Sequence, residues 1–107
     1  MKRLTLALLL FTTGAFAQPL AAPNADLKSR VQGMPDDVRS WAWRQAGCNH
    51  WREEMADDGE RARRIKDAVT DLRCNDLTRD SEMLRRRYVN RSNILDLLAS
   101  ANELKPD

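Results

Sequence analysis

Two cysteines, Cys48 and Cys74, limit this chain more than any other feature. Oxidised, they close a loop of about 26 residues, which by chain entropy contributes about 3.5 kcal/mol. Whether they oxidise depends on compartment, because disulfides persist outside the reducing cytosol. The first residues bear on that. Met1-Lys2-Arg3 precedes an apolar run from Leu4 to Phe16, which ends in Ala15-Phe16-Ala17 before Gln18. That order of positive charge, short apolar stretch and small residues at −3 and −1 is a cleavable secretory signal, residues 1–17. As a helix the run would reach about 20 Å, short of a hydrocarbon core of about 30 Å. No cysteine follows it to carry a lipid. The chain is therefore expected in a bacterial periplasm or secreted, with no stable membrane anchor after cleavage and with Cys48 and Cys74 joined.

Export also revises the charge. The chain carries 18 Lys and Arg against 16 Asp and Glu. Lys2 and Arg3 leave with the leader, so 16 cations face 16 anions. Bulk attraction to nucleic acid or anionic lipid is not expected of a neutral remnant. About 90 residues remain, one domain of a size at which a covalent staple matters.

Residues 18–34 contain Pro19, Pro23 and several alanines, and read as a flexible N-terminal tail with at most a helical turn near 26–32. The helical domain is expected over 35–107. Pro35 suits a first helical position, with Asp36 and Asp37 favourable in the first turn. Val38, Trp41, Ala42, Gln45 and Cys48 recur at helical spacing. Ala56-Asp57-Asp58-Gly59 signals a turn, and Asp57 with Glu60 resembles a capping box. Ala62, Ile65, Val69 and Leu72 mark a second helix. Thr78 is expected to cap a third, reaching about Val89 with Met83, Leu84 and Tyr88 inward. Ser92 is expected to cap a fourth, with Ile94, Leu95, Leu98 and Ala101 as its apolar stripe, ending near Leu104. No alternating β-branched run is present, so the expected fold is all-α, a small bundle of three to four helices with one disulfide.

The staple raises a conflict. In a tight antiparallel pair turning at Asp57, Cys48 and Cys74 would be offset by about 13 Å, whereas a disulfide needs Cα atoms within about 7 Å. The first helix therefore either runs from Pro35 to about Gly47 and breaks there, or continues through Trp51 to Met55 with no tight turn over 49–58; the break at Gly47-Cys48 is the favoured reading, because glycine commonly follows a helix end.

Chemistry-bearing residues are few. His50 is the sole histidine, and on a helix it would share a face with Glu54, with Glu53 within reach. That is half a metal site at most; a second histidine is lacking and Cys48 is committed elsewhere. No metal or other cofactor is assigned. Ser29, Ser40, Ser81, Ser92 and Ser100 lack a nucleophile-elbow context, and no G-x-S-x-G occurs. The carboxylate pairs Asp36/Asp37, Glu53/Glu54 and Asp57/Asp58 fall where capping and solvation account for them. No catalytic residue is assigned and no enzyme is expected. Trp43 falls off the apolar stripe that holds Trp41, on a face shared with Ala46 and His50. It either packs under the tail or against the last helix, or anchors a partner. Arg85, Arg86 and Arg87, with Arg79 and Arg91, point in several directions around a helix and read as a solvated surface.

The stretch from Cys74 through Leu77, Asp80 and Leu84 to Tyr88 resembles the C-x-x-L-x-x-x-D-x-x-L-x-x-x-Y type of pattern in LprI-like lysozyme-inhibitor domains, small secreted helical modules with cysteine pairs. The acidic residue here follows Leu77 by three positions rather than four. The likeness covers about 15 residues and implies an exported inhibitor or envelope binding protein; it transfers no binding residue.

Together these readings point to an exported, non-enzymatic binding protein, an inhibitor or immunity-type partner of another envelope or secreted protein. The expected contact surface is Trp43, His50, Trp51, Glu53 and Glu54. The alternative is a periplasmic metal- or stress-responsive module using His50 with nearby carboxylates.

Overall fold

A computed structural model describes residues 26–54 and 59–107. The leader, residues 18–25 and the Asp57/Asp58 turn with its capping box lie outside the described residues. Within them run five α-helices and no strand: α1 Leu27–Arg30, α2 Asp36–Glu53, α3 Gly59–Asp71, α4 Leu77–Arg87 and α5 Ser92–Ala99, with 3-10 turns at Cys74–Asp76 and Ala101–Glu103. This is an all-α bundle stapled by Cys48–Cys74.

α2 is the central helix. Pro35 sits just before it, one position earlier than expected, and Asp36 and Asp37 occupy its first turn, where the helix dipole favours anions. Val38, Trp41, Ala42, Gln45, Ala46 and Cys48 form one buried stripe. The Trp41 indole N–H donates to the Leu77 carbonyl oxygen at 3.2 Å, which satisfies a polar atom at the centre of the core.

The expected break at Gly47 does not occur; α2 continues through it to Glu53. Glycine serves close approach here rather than termination. A Cβ at Gly47 would stand 2.9 Å from Leu72 Cδ1, so the bare backbone is the surface against which Leu72 lies. The offset is resolved at the far end of α3. Arg73 takes a left-handed conformation, φ 52°, and a 3-10 turn follows at Cys74–Asp76. Leu72 and Arg73 lie against Arg44, and Cys74 returns to Cys48, one helical turn further on. The cysteine Cα atoms are 5.7 Å apart, and both residues are buried.

α3 buries no residue completely. Its expected stripe is half-covered at Ile65, Val69 and Leu72, while Ala62 is exposed. Thr78 is not the cap of α4: that helix begins at Leu77, preceded by Asp76, and Thr78 is an exposed residue of its first turn. Leu77 and Leu84 are buried and Tyr88 is half-buried, but Met83 is 51% exposed rather than inward. It sits one position from Leu84, a turn of 100° that carries it off the core face. Ser92 likewise is the first residue of α5, not its cap. Ile94, Leu97 and Leu98 are buried there, with Leu95 and Ala101 half-buried beside them. Leu97 was absent from the expected stripe.

The helical turn expected near 26–32 is present as α1, Leu27–Arg30, but the tail expected through residue 34 is packed: Leu27 and Val31 belong to the core. α1 spans only one turn, too short to show periodicity, and is held by carboxylates at its N-terminus. Asp26 accepts from the Ser29 N–H at 2.9 Å, and the Asp107 carboxylate accepts from the Leu27 and Lys28 N–H groups at 2.8 and 3.2 Å. The C-terminal segment is fastened to α2 as well. Asn49 donates to the carbonyl oxygens of Ala101 and Leu104 at 2.7 and 2.9 Å, and Gln45 orients Asn49.

Candidate functional site

Most of the side chains expected to form a contact surface come from α2, and the fold sorts them into two places. At the end of α2, the rings of His50 and Trp51 meet edge to face, with centroids 5.2 Å apart. His50 Nε2 stands 3.8 Å from Glu54 Oε1, and Arg61 of α3 pairs with the same carboxylate. His50, Trp51, Glu54, Arg61 and Arg64 line an open depression. His50 is exposed and Trp51 half-buried. Glu53 is exposed and lies outside this cluster.

Trp43 is elsewhere. It stands two helical turns before His50 and is 43% exposed. With Lys28, Gln32, Asp36 and Arg39 it lines a groove between α2 and the segment around α1. Ala46, expected on the same face, is fully buried.

The cluster offers a cation, an imidazole and an aromatic ring, which suits recognition. Its carboxylate is already paired with a guanidinium, and Nε2 of the only imidazole faces that carboxylate rather than a hydroxyl or thiol. Among the described residues, no three His, Cys, Asp or Glu side chains gather as a metal-ligand set.

A second feature escaped sequence reasoning. α2 and α4 lie antiparallel, with Asp37 beside Arg87 and Arg44 beside Asp80. Between the two ion pairs is a cavity of about 200 Å³ with Trp41 and Leu84 in its lining and Ser40 and Met83 beside them. Arg44 carries the inner end. Its Nε donates to the Leu72 carbonyl oxygen at 2.9 Å, one terminal nitrogen to Asp80 at 2.9 Å and the other to the Arg73 carbonyl oxygen at 3.1 Å. At the outer end the Tyr88 hydroxyl donates to Asp37 at 2.8 Å. Partial desolvation opposes ionisation of Asp37, but Tyr88, Arg87 and the Val38 N–H outweigh it and hold the carboxyl below its ordinary value. That same hydrogen bond, with partial burial, raises the Tyr88 phenol above its ordinary value. The recurrence of Asp37, Ser40, Trp41 and Arg44 with Asp80, Met83, Leu84 and Arg87 at matched spacing was visible in the sequence; their antiparallel alignment was not.

No family model, curated protein or solved structure matches this chain. Among the described residues no helix is long and apolar enough to cross a membrane.

Proposed function

We propose that this chain is an exported, non-enzymatic binding protein of a bacterial periplasm or extracellular space, acting as an inhibitor or immunity-type partner of another envelope or secreted protein. The observation that carries the reading is Trp43. Trp41, two residues away, is 1% exposed, whereas Trp43 presents 43% of its surface on the same stapled helix. A rigid, exposed tryptophan beside charged rims is the composition of a binding hot spot. The leader sequence, the buried disulfide and the resemblance to LprI-like lysozyme-inhibitor domains support the same class of protein. His50, Trp51 and Glu54 supply a second contact area on the same helix.

Affinity capture from envelope extract with the oxidised protein tests this, using Trp43→Ala and His50→Ala as controls. The expected result is a defined protein partner whose recovery falls at least tenfold for Trp43→Ala. Identical capture by wild type and both variants would overturn the proposal. Intact mass of the exported protein should show loss of residues 1–17 and of two hydrogens.

A further inference from the structure

The groove beside Trp43 has two walls of unequal strength. Asp36, Arg39 and Trp43 stand on α2, which the core and the disulfide hold in place. Lys28 and Gln32 form the other wall, on and just after α1. A single helical turn is too short to sustain itself in water, so this wall stands only where other residues fasten it. The groove encloses about 540 Å³, inside the roughly 300–1,000 Å³ of ligand sites, and the seating of α1 sets its width. Leu27 and Val31 are buried, whereas Lys28 and Gln32, the next residue in each case, are exposed along the groove. Gly33, with φ 75°, then lets the chain turn from α1 towards α2.

The fastening comes from the other end of the sequence. Leu104 is 1% exposed, and its carbonyl oxygen accepts from Asn49 of α2 at 2.9 Å. Pro106 disfavours helix at Lys105, and the chain runs on without helix to Asp107. Both carboxylate oxygens of Asp107 are then used. Oδ1 accepts from the Leu27 N–H at 2.8 Å and Oδ2 from the Lys28 N–H at 3.2 Å. These are amides that a first helical turn leaves without an internal partner. Asp26 takes the next, from Ser29.

We propose that residues 101–107 form a strap, and that Asp107 is the positioning residue that keeps α1 seated as a wall of the Trp43 groove. Release of Asp107 lets α1 and Gln32 move away from α2 while the rest of the bundle stays folded, a local opening of the kind that short terminal elements undergo most readily. As control over the Trp43 surface, the strap rests on the binding function proposed above.

Amide hydrogen exchange of the oxidised protein, followed by NMR, tests it. The sensitive positions are Arg30 and Val31, whose N–H groups donate to the Asp26 and Leu27 carbonyl oxygens and make no contact with Asp107. In Asp107→Ala both are expected to exchange about fivefold faster, the effect of a typical lost cap. The Leu84 and Leu98 amides, in α4 and α5, should keep their wild-type rates. The indole N–H resonance of Trp43 should shift and that of Trp41 should not. Asp107→Asn keeps one acceptor oxygen and should fall between wild type and Asp107→Ala. Unchanged exchange at Arg30 and Val31 would overturn the proposal, as would equal acceleration at Leu84 and Leu98 or an unmoved Trp43 resonance. None of these readouts needs a partner, so the strap and the Trp43-dependent capture can each fail alone.

Discussion

Arg44 and Asp80 face each other across α2 and α4 at 2.9 Å, and the same guanidinium holds the carbonyl oxygens of Leu72 and Arg73. One side chain thus joins α2, α4 and the end of α3. Its planar fork can meet three acceptors at once, which a lysine cannot. The side chains are 14% and 25% exposed, so solvent screens the pair only partly. Arg44→Ala is expected to cost about 2–3 kcal/mol by urea denaturation, and Arg44→Lys to recover less than half of that. Equal stability of wild type and Arg44→Ala would refute the clamp.

The disulfide should dominate stability. Cys48 and Cys74 are 0% and 4% exposed, and they close a loop spanning 26 residues. Replacing both with alanine is expected to lower unfolding free energy by about 3.5 kcal/mol. Burial also predicts that a mild thiol reductant acts slowly on the native protein and quickly in denaturant. Alkylation followed by mass spectrometry measures both rates.

Acid should loosen the contact between α2 and α4. The Asp37 carboxyl is held below its ordinary value of 3.8 in the fold. A depressed folded value means that its stabilisation is complete above the unfolded value and disappears as pH falls through the folded one. Stability should therefore drop below about pH 4, and Asp37→Asn should flatten that part of the curve. A variant with an unchanged acid limb would disprove the contribution. Tyr88→Phe, which removes one of the bonds holding Asp37 ionised, should raise its folded value toward the ordinary one and so make the acid limb smaller.

The two nearby tryptophans should behave oppositely. Trp41→Ala empties a central core position and leaves the Leu77 carbonyl without its donor, at a cost of about 3–5 kcal/mol. Trp43→Ala should cost about 1 kcal/mol or less, because nearly half of the side chain already meets solvent. Thermal unfolding of both variants separates them, and a comparable loss in each would remove the case for Trp43 as a binding residue.

Much of this architecture was legible in the residues. The 3.6-residue recurrence of Val38, Trp41, Ala42, Gln45 and Cys48 identified α2 and its buried face, and a single cysteine pair specified its own partner. Periodicity is local, so it reports a face wherever a helix is long enough to repeat. It failed where that condition failed. One turn at Leu27–Arg30 cannot repeat, so two core residues, Leu27 and Val31, looked like tail. Met83 looked inward because Leu84 beside it is. Gly47 carried an ambiguous signal. Its lack of a side chain fits a helix end or a close approach equally well, and only the position of Leu72 distinguishes them.

The candidate contact residues show the same division. The sequence by itself determined that His50, Trp51 and Glu54 would gather, because they are neighbours on one helical turn. It determined the helical class and the single possible disulfide for the same reason, since spacing along the chain sets all of them. Only the tertiary structure decided that Arg44 ties three segments together, and that Asp37 and Arg87 close one end of a groove. Those relationships join residues 28 to 50 positions apart. They depend on which helix packs against which and in what direction, and no local propensity encodes that.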